Sequence, residues 1–171
     1  LVIAAGVFTH LKDDAHALSN IYKLLNPGGK VALEFRNELF SCFSFNQFSY
    51  DFYLNTILDR TAFTNDQFDT VKYYFKNKFN IQQDQSIEPL STHFKNGYIN
   101  KFHNPLNIAE LLGNAGFKWG KNYFYHYHSL PPQFDSLSDG IADKISLEFE
   151  NPDDWRGHLL ASAFVTLAHR S

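Results

Sequence analysis

The stretch that most restricts what this chain can become is its first thirty-five residues. Leu1-Val2-Ile3-Ala4-Ala5 is a short unbroken apolar run, the pattern of a strand buried on both faces in a parallel sheet. A turn follows at Gly6-Val7-Phe8-Thr9-His10-Leu11. Asp13 and Asp14 then supply acceptors for a helix start, and Ala15, Leu18, Ile21, Tyr22 and Leu25 recur at helical spacing along one face. Asn26-Pro27-Gly28-Gly29 stops that helix, because proline cannot continue it and a glycine accepts positive φ. Val31-Ala32-Leu33-Glu34-Phe35 is a second apolar run. Strand, crossover helix and strand make a βαβ unit, which sets the class as α/β.

Composition narrows the partners. A chain of 171 residues is one domain with room for a real core. Its net charge of -3 offers no basic surface for nucleic acid or an anionic membrane. One cysteine, Cys42, excludes an intramolecular disulfide framework and fits a reducing, cytoplasmic setting. No apolar run approaches a membrane span, and no signal-peptide pattern opens the chain. Aromatic residues make up 17%, with 18 Phe and 9 Tyr concentrated in the middle, which points to an aromatic-lined layer over the sheet and a substrate pocket within it. A phenylalanine-rich core from compositional bias is the competing reading.

The string from Leu1 to Phe35 resembles the second half of the class I S-adenosylmethionine-dependent methyltransferase fold. The match is to its fourth strand, the helix that follows, and the turn into its fifth strand, here Leu24-Leu25-Asn26-Pro27-Gly28-Gly29. That family begins with a strand, a glycine-rich loop, and an acid at the end of the next strand. No Gly-x-Gly-x-Gly string occurs here, and the chain starts inside a strand without any methionine. The resemblance therefore implies the C-terminal part of a Rossmann-like, doubly wound, mostly parallel sheet, whose missing N-terminal half is a partner of this one. A complete small domain that begins with a strand is the alternative. The resemblance further implies a bacterial cytoplasmic enzyme using S-adenosyl-L-methionine on a small-molecule acceptor, with oligomerisation open.

By the family's pattern Ala5, Gly6, Val7 and Phe8 border the cofactor, and His10 is a polar group near the reaction. Packing under the helix competes for Phe8, and capping of the nearby helix start competes for His10. Glu34, Arg36 and Asn37 leave the second strand on the same edge of the sheet, where open α/β sheets bind ligands, and are candidate substrate contacts. Arg36 suits an anionic substrate group or a salt bridge to a neighbouring acid, and Asn37 suits a hydroxyl or carbonyl.

Residues 1–36 and 105–171 read as the sheet-and-helix core, and residues 37–104 as an inserted, aromatic-rich helical lid. Helices are expected over Asn46 to Leu58 and over Asp66 to Phe79, the latter capped by Thr64 or Asn65, with Gln82 to Glu88 as loop. Tyr98 and then His103-Asn104-Pro105-Leu106 precede a short helix opened by an Asn107-x-x-Glu110 variant of the capping box. This combination resembles a bacterial methyltransferase subgroup acting on sugar or surface-polysaccharide precursors. It makes Tyr98 and Asn104 candidate substrate contacts and His103 a candidate base, against a hydrogen bond from His103 to a loop carbonyl.

His126 and His128 would share one face of a strand, yet no nearby Cys or acid cluster completes a metal site. Ile145, Leu147 and Phe149 alternate as in a strand, Trp155 reads as a core anchor, and Leu159 to Ala168 reads as the last strand, inserted in the sheet. Methyl transfer to a small molecule is the leading function. A nicotinamide-dependent oxidoreductase on the same fold, and a non-catalytic remnant or binding subunit, are the rivals.

Overall fold

The computed structural model describes residues 1–81, 93–95, 98–137 and 141–171. Strand β1 (Val2–Ala4), helix α1 (Asp14–Leu24) and strand β2 (Lys30–Arg36) form the expected βαβ unit, with Val2 opposite Val31 and Ala4 opposite Leu33 in a parallel pair. Asp13 caps α1, its side chain accepting from the His16 amide at 2.9 Å. The helix ends at the Pro-Gly turn, where Gly28 has φ +74° and a side chain on Gly29 would meet the Asn26 carbonyl.

Short helices α2 (Ser41–Ser44) and α3 (Gln47–Phe52) follow, α3 running on as a π-helical turn over Tyr53–Ile57. Helix α4 (Asn65–Lys78) opens with a capping box between Thr64 and Gln67. It packs through its aromatic stripe, Tyr53 stacking on Phe75 and Phe79 at 5.2 and 5.9 Å. Strands β3 (His93–Lys95) and β4 (Tyr98–Asn100) make a separate hairpin. Residues 82–88, expected as loop, lie outside the described residues. Helix α5 (Ile108–Asn114), strand β5 (Phe117–Tyr127), helices α6 (Ile141–Phe149) and α7 (Gly157–Leu160), and strand β6 (Ala161–Arg170) complete the chain.

The sheet order is β1-β2-β6-β5. As expected, β6 is inserted in the sheet; it pairs antiparallel with β2 on one side and β5 on the other. The α/β, Rossmann-like class holds, but the described sheet is not mostly parallel: it has one parallel and two antiparallel pairings, because β6 runs against both its neighbours. Phe8, Leu18, Val31, Leu33, Phe35, Leu112 and Phe164 form the fully buried heart of the core, to which α1 and α5 contribute from the helix layer. Alternation along β2 sends Val31, Leu33 and Phe35 into it and leaves Glu34 and Arg36 on the other face. Strand β1 departs from the two-face burial its composition implies: it is the edge strand, Leu1 and Ile3 are exposed, and Ala4 is buried. Among the described residues no helix is long and apolar enough to cross a membrane.

Four local expectations are corrected. The segment with Ile145, Leu147 and Phe149 is helical, because Ile141, Ile145 and Phe149 also repeat every four residues. Asn107 makes no side-chain cap; Asn104 opens the turn instead, accepting from the Leu106 amide at 3.0 Å. Trp155 is 71% exposed and anchors no core. Leu159 and Leu160 belong to α7, so the last strand begins at Ala161.

Within α3, Asp51 is buried and accepts from Gln47 Nε2 at 2.8 Å. Burial, partly offset by that hydrogen bond, pushes its carboxyl up to about 6 from an ordinary 3.8. The folded chain keeps this proton to a higher pH than the unfolded chain, so stability falls as pH rises from about 4 to about 6. Asp51→Asn removes that fall, and the variant should exceed the parent by on the order of 2 kcal/mol at pH 8 and by little at pH 4. Urea melts at the two pH values check this; an equal gap at both would refute it.

Candidate functional site

The carboxyl ends of β1 and β2 are tied together by the segment 99–103. Lys101 donates its backbone N–H to the Thr9 carbonyl at 2.8 Å, and the Thr9 hydroxyl donates to the Lys101 carbonyl at 3.0 Å. Two residues on, the His103 amide donates to the Arg36 carbonyl at 2.8 Å and the Glu38 amide to the His103 carbonyl at 3.0 Å. This strap fixes the turn after β1 and the exit of β2 in one frame.

Both histidines proposed as bases touch the strap, in opposite environments. His10, in a 3₁₀ turn over Phe8–His10, is exposed, and its Nδ1 lies 2.8 Å from the Ile99 carbonyl. A carbonyl oxygen only accepts, so Nδ1 carries the proton and Nε2 is the acceptor nitrogen of the neutral ring. His10 therefore does not cap the helix start; its Nδ1 is held by the Ile99 carbonyl. His103 is buried, its Nε2 2.9 Å from Asp14 Oδ2 and its ring against Phe35 at 4.6 Å. Lys101 Nζ meets the other carboxylate oxygen of Asp14 at 2.6 Å. Burial alone would raise the Asp14 carboxyl, but the His103 and Lys101 hydrogen bonds outweigh it and hold it below its ordinary value. The partner of His103 is thus a carboxylate, not a loop carbonyl, and the pair clamps α1 to the strap.

In the turn after β1, Ala5, Gly6 and Val7 are exposed, and Gly6 has φ +67°. The Gly6 amide donates to Glu34 Oε2 at 2.8 Å. Phe8 is fully buried against Phe35 at 5.1 Å, so it packs under the turn and forms no ligand wall.

Beyond Glu34 opens a cavity of about 460 Å³ between the exit of β2, helices α2 and α3, and the end of β5. Phe40, Phe48, Phe102 and Tyr125 give it aromatic walls, and Glu34, Arg36, His126 and His128 give it polar ones. Burial, together with a hydrogen bond to Glu34, pushes the Tyr125 hydroxyl well above its ordinary value. Arg36 donates from Nη1 to Asn100 Oδ1 at 2.7 Å and lies over Phe102 at 5.7 Å, in place of the expected salt bridge.

Two expected substrate contacts are engaged elsewhere. Asn37 is fully buried; its Nδ2 donates to the carbonyls of Gly157, His158 and Ala161 at 3.3, 2.9 and 2.8 Å, and its Oδ1 accepts from the Leu39 amide at 3.0 Å. Both donor hydrogens of that side chain are used and it has no solvent exposure, so it is not presented to a ligand. Asn104 holds the α5 turn and hydrogen-bonds Glu38, whose carboxyl burial nevertheless raises. Tyr98 opens β4, and its side chain lies outside the described residues. Tyr125 and His126 as cavity residues were missed by the sequence reading. The signal available was the aromatic-histidine run Tyr123-Phe124-Tyr125-His126-Tyr127-His128.

No family model matches the sequence, and no curated protein matches it. Among solved structures, the chain is similar to an S-adenosylmethionine-dependent methyltransferase from Mesorhizobium loti, with a TM-score of 0.47 and 10% identity, over 99% of this chain and 61% of that one. It is also similar to a putative S-adenosylmethionine-dependent methyltransferase from Listeria monocytogenes, with a TM-score of 0.44 and 13% identity over 99% and 61%. PKMT2 from Rickettsia typhi follows, with a TM-score of 0.40 and 14% identity over 99% of this chain and 34% of that one. The chain spans less than two thirds of the length of each of these structures.

Proposed function

We propose that this chain is the acceptor-side portion of an S-adenosylmethionine-dependent methyltransferase acting on a small molecule, such as a sugar or surface-polysaccharide precursor. The observation that carries the reading is Glu34, whose carboxylate joins the Gly6 amide at the end of β1 to Tyr125 in the cavity wall. The edge where the sequence resemblance expects a cofactor and the cavity fit for an acceptor therefore share one side chain. Ala5 and Val7 present an exposed border at that edge, whereas Phe8 is buried and the Gly6 amide is engaged, so the turn fits the margin of a cofactor site. The missing N-terminal half of the domain is proposed to supply the remainder of that site and a strand beside the open edge of β1.

S-Adenosylmethionine would supply an electrophilic methyl group; the residues of this chain orient the acceptor, exclude water and move a proton. Residues 37–104 act as the lid, α2 and α3 walling the cavity. His10 is the proposed base, because Nδ1 faces the Ile99 carbonyl, Nε2 is left for an acceptor role, and the ring is exposed at the strap. His103 supports the frame through Asp14. In the protein that carries this chain, transfer of labelled methyl from S-adenosylmethionine tests the reading. His10→Ala should lower kcat about 100-fold. An unchanged rate would exclude His10 as the base. Binding of a nicotinamide cofactor in place of S-adenosylmethionine would overturn the assignment, and binding of neither would favour a non-catalytic subunit.

A further inference from the structure

Strand β5 is irregular where it meets the cavity. His126 adopts φ +59°, a left-handed conformation uncommon for any residue but glycine, inside a residue run otherwise paired to β6. Tyr125 pairs with Ala163 and Tyr127 with Ala161, while the Ser162 hydroxyl donates to the His126 carbonyl at 3.3 Å. In a regular strand Tyr125 and His126 would point to opposite faces. Both line the same cavity here, so the left-handed residue re-aims the imidazole into it, as β-bulges beside binding sites do.

Facing it is Arg36. Its Nη1 bonds to a neutral amide oxygen, and no carboxylate among the described residues lies within ion-pair distance of it. The nearest acid along the strand, Glu34, is engaged by Gly6 and Tyr125. The cavity thus holds one guanidinium that pairs with no carboxylate among the described residues, one imidazole placed at the cost of backbone strain, and the aromatic walls of Phe40, Phe48, Phe102 and Tyr125. A guanidinium fork matches a planar carboxylate, and aromatic walls match a flat body. One arginine without a lysine in the lining suits a single negative charge better than a doubly charged phosphate.

From this we infer that the cavity is a site for flat, mono-anionic acids, with Arg36 facing the carboxylate and His126 the second polar contact. It narrows the acceptor of the proposed transfer to an aromatic or similarly planar acid, and so rests on the cavity being the acceptor pocket. The binding itself requires no cofactor and is measured separately.

The probes are 4-hydroxybenzoate, its uncharged counterpart 4-hydroxybenzyl alcohol, and phenyl phosphate, titrated calorimetrically into the protein. The benzoate should bind at least about 10-fold more tightly than the alcohol, a difference that Arg36→Ala abolishes and Arg36→Lys only partly restores. His126→Gly should weaken the benzoate while leaving Tm unchanged or raising it by about 3 °C, because glycine relieves the left-handed strain. Equal affinity for benzoate and alcohol, no response to Arg36→Ala, or tighter binding of phenyl phosphate would each overturn the inference. Benzoate binding without methyl transfer to any acid would sink the transferase reading and leave the acid site standing. Methyl transfer with no preference for acids would do the reverse.

Discussion

Asn37→Asp should cost this protein about 4 kcal/mol or more, the largest single-atom effect the structure offers. The asparagine nitrogen donates to three carbonyls at the junction of α7 and β6, in a position with no solvent exposure. Aspartate places an oxygen where that nitrogen stood, so three donated bonds become oxygen facing oxygen, with a buried negative charge added. The Leu39 amide still has its acceptor, so the loss is confined to the carbonyl side. Protonation restores a single O–H donor. The destabilisation should therefore shrink as pH falls from 7 toward 4, because the folded variant binds a proton that the unfolded one releases. Asn37→Ala, which leaves the carbonyls unpaired without adding charge, should cost less at pH 7 and show no such pH dependence. Urea denaturation of both variants at pH 4 and 7 measures this, and an aspartate variant as stable as the parent would remove Asn37 from its structural role.

The second large effect lies across the sheet, at the clamp between α1 and the strap. Asp14→Ala leaves the Lys101 ammonium and the His103 ring facing each other with the carboxylate gone, both largely shielded from water. Loss of one partner from such a buried cluster costs about 3 kcal/mol. Because the Asp14 carboxyl is held below its ordinary 3.8, its contribution is complete above that value and disappears as pH falls through the lower folded pKa. This sign is opposite to that of Asp51, so the two acids separate in a pH series of melts. Combining Asp14→Ala with His103→Ala should cost clearly less than the sum of the two single changes, since they share one hydrogen bond. Additive losses would show that the clamp is not a unit. The experiment also bears on catalysis: His103 variants should fail by unfolding, and His10 variants by chemistry.

The candidate site was legible where one element carried it. Gly6, Glu34 and Arg36 stand at the strand exits that periodicity located, and the capped ends of α1 and α4 follow from Asp13, the Pro-Gly turn and the Thr64–Gln67 pair. Local rules failed where two periods fitted one string, as for Ile145 to Phe149, which folds as helix α6. They also failed to separate polar residues at adjacent positions: Arg36 faces the cavity and Asn37 faces the core, one residue apart.

By itself, then, the sequence determined the α/β class, the βαβ unit, the helices of the middle region and the edge of the sheet where ligands belong, because these depend on hydrophobic period and turn chemistry within a few residues. Tertiary structure alone decided which histidine is buried and which is exposed, where the Asn37 amide is used, and that Tyr125 and His126 share a cavity. Those outcomes depend on contacts between residues 64 to 124 positions apart and on one left-handed residue in β5, neither of which leaves a local signature in the chain.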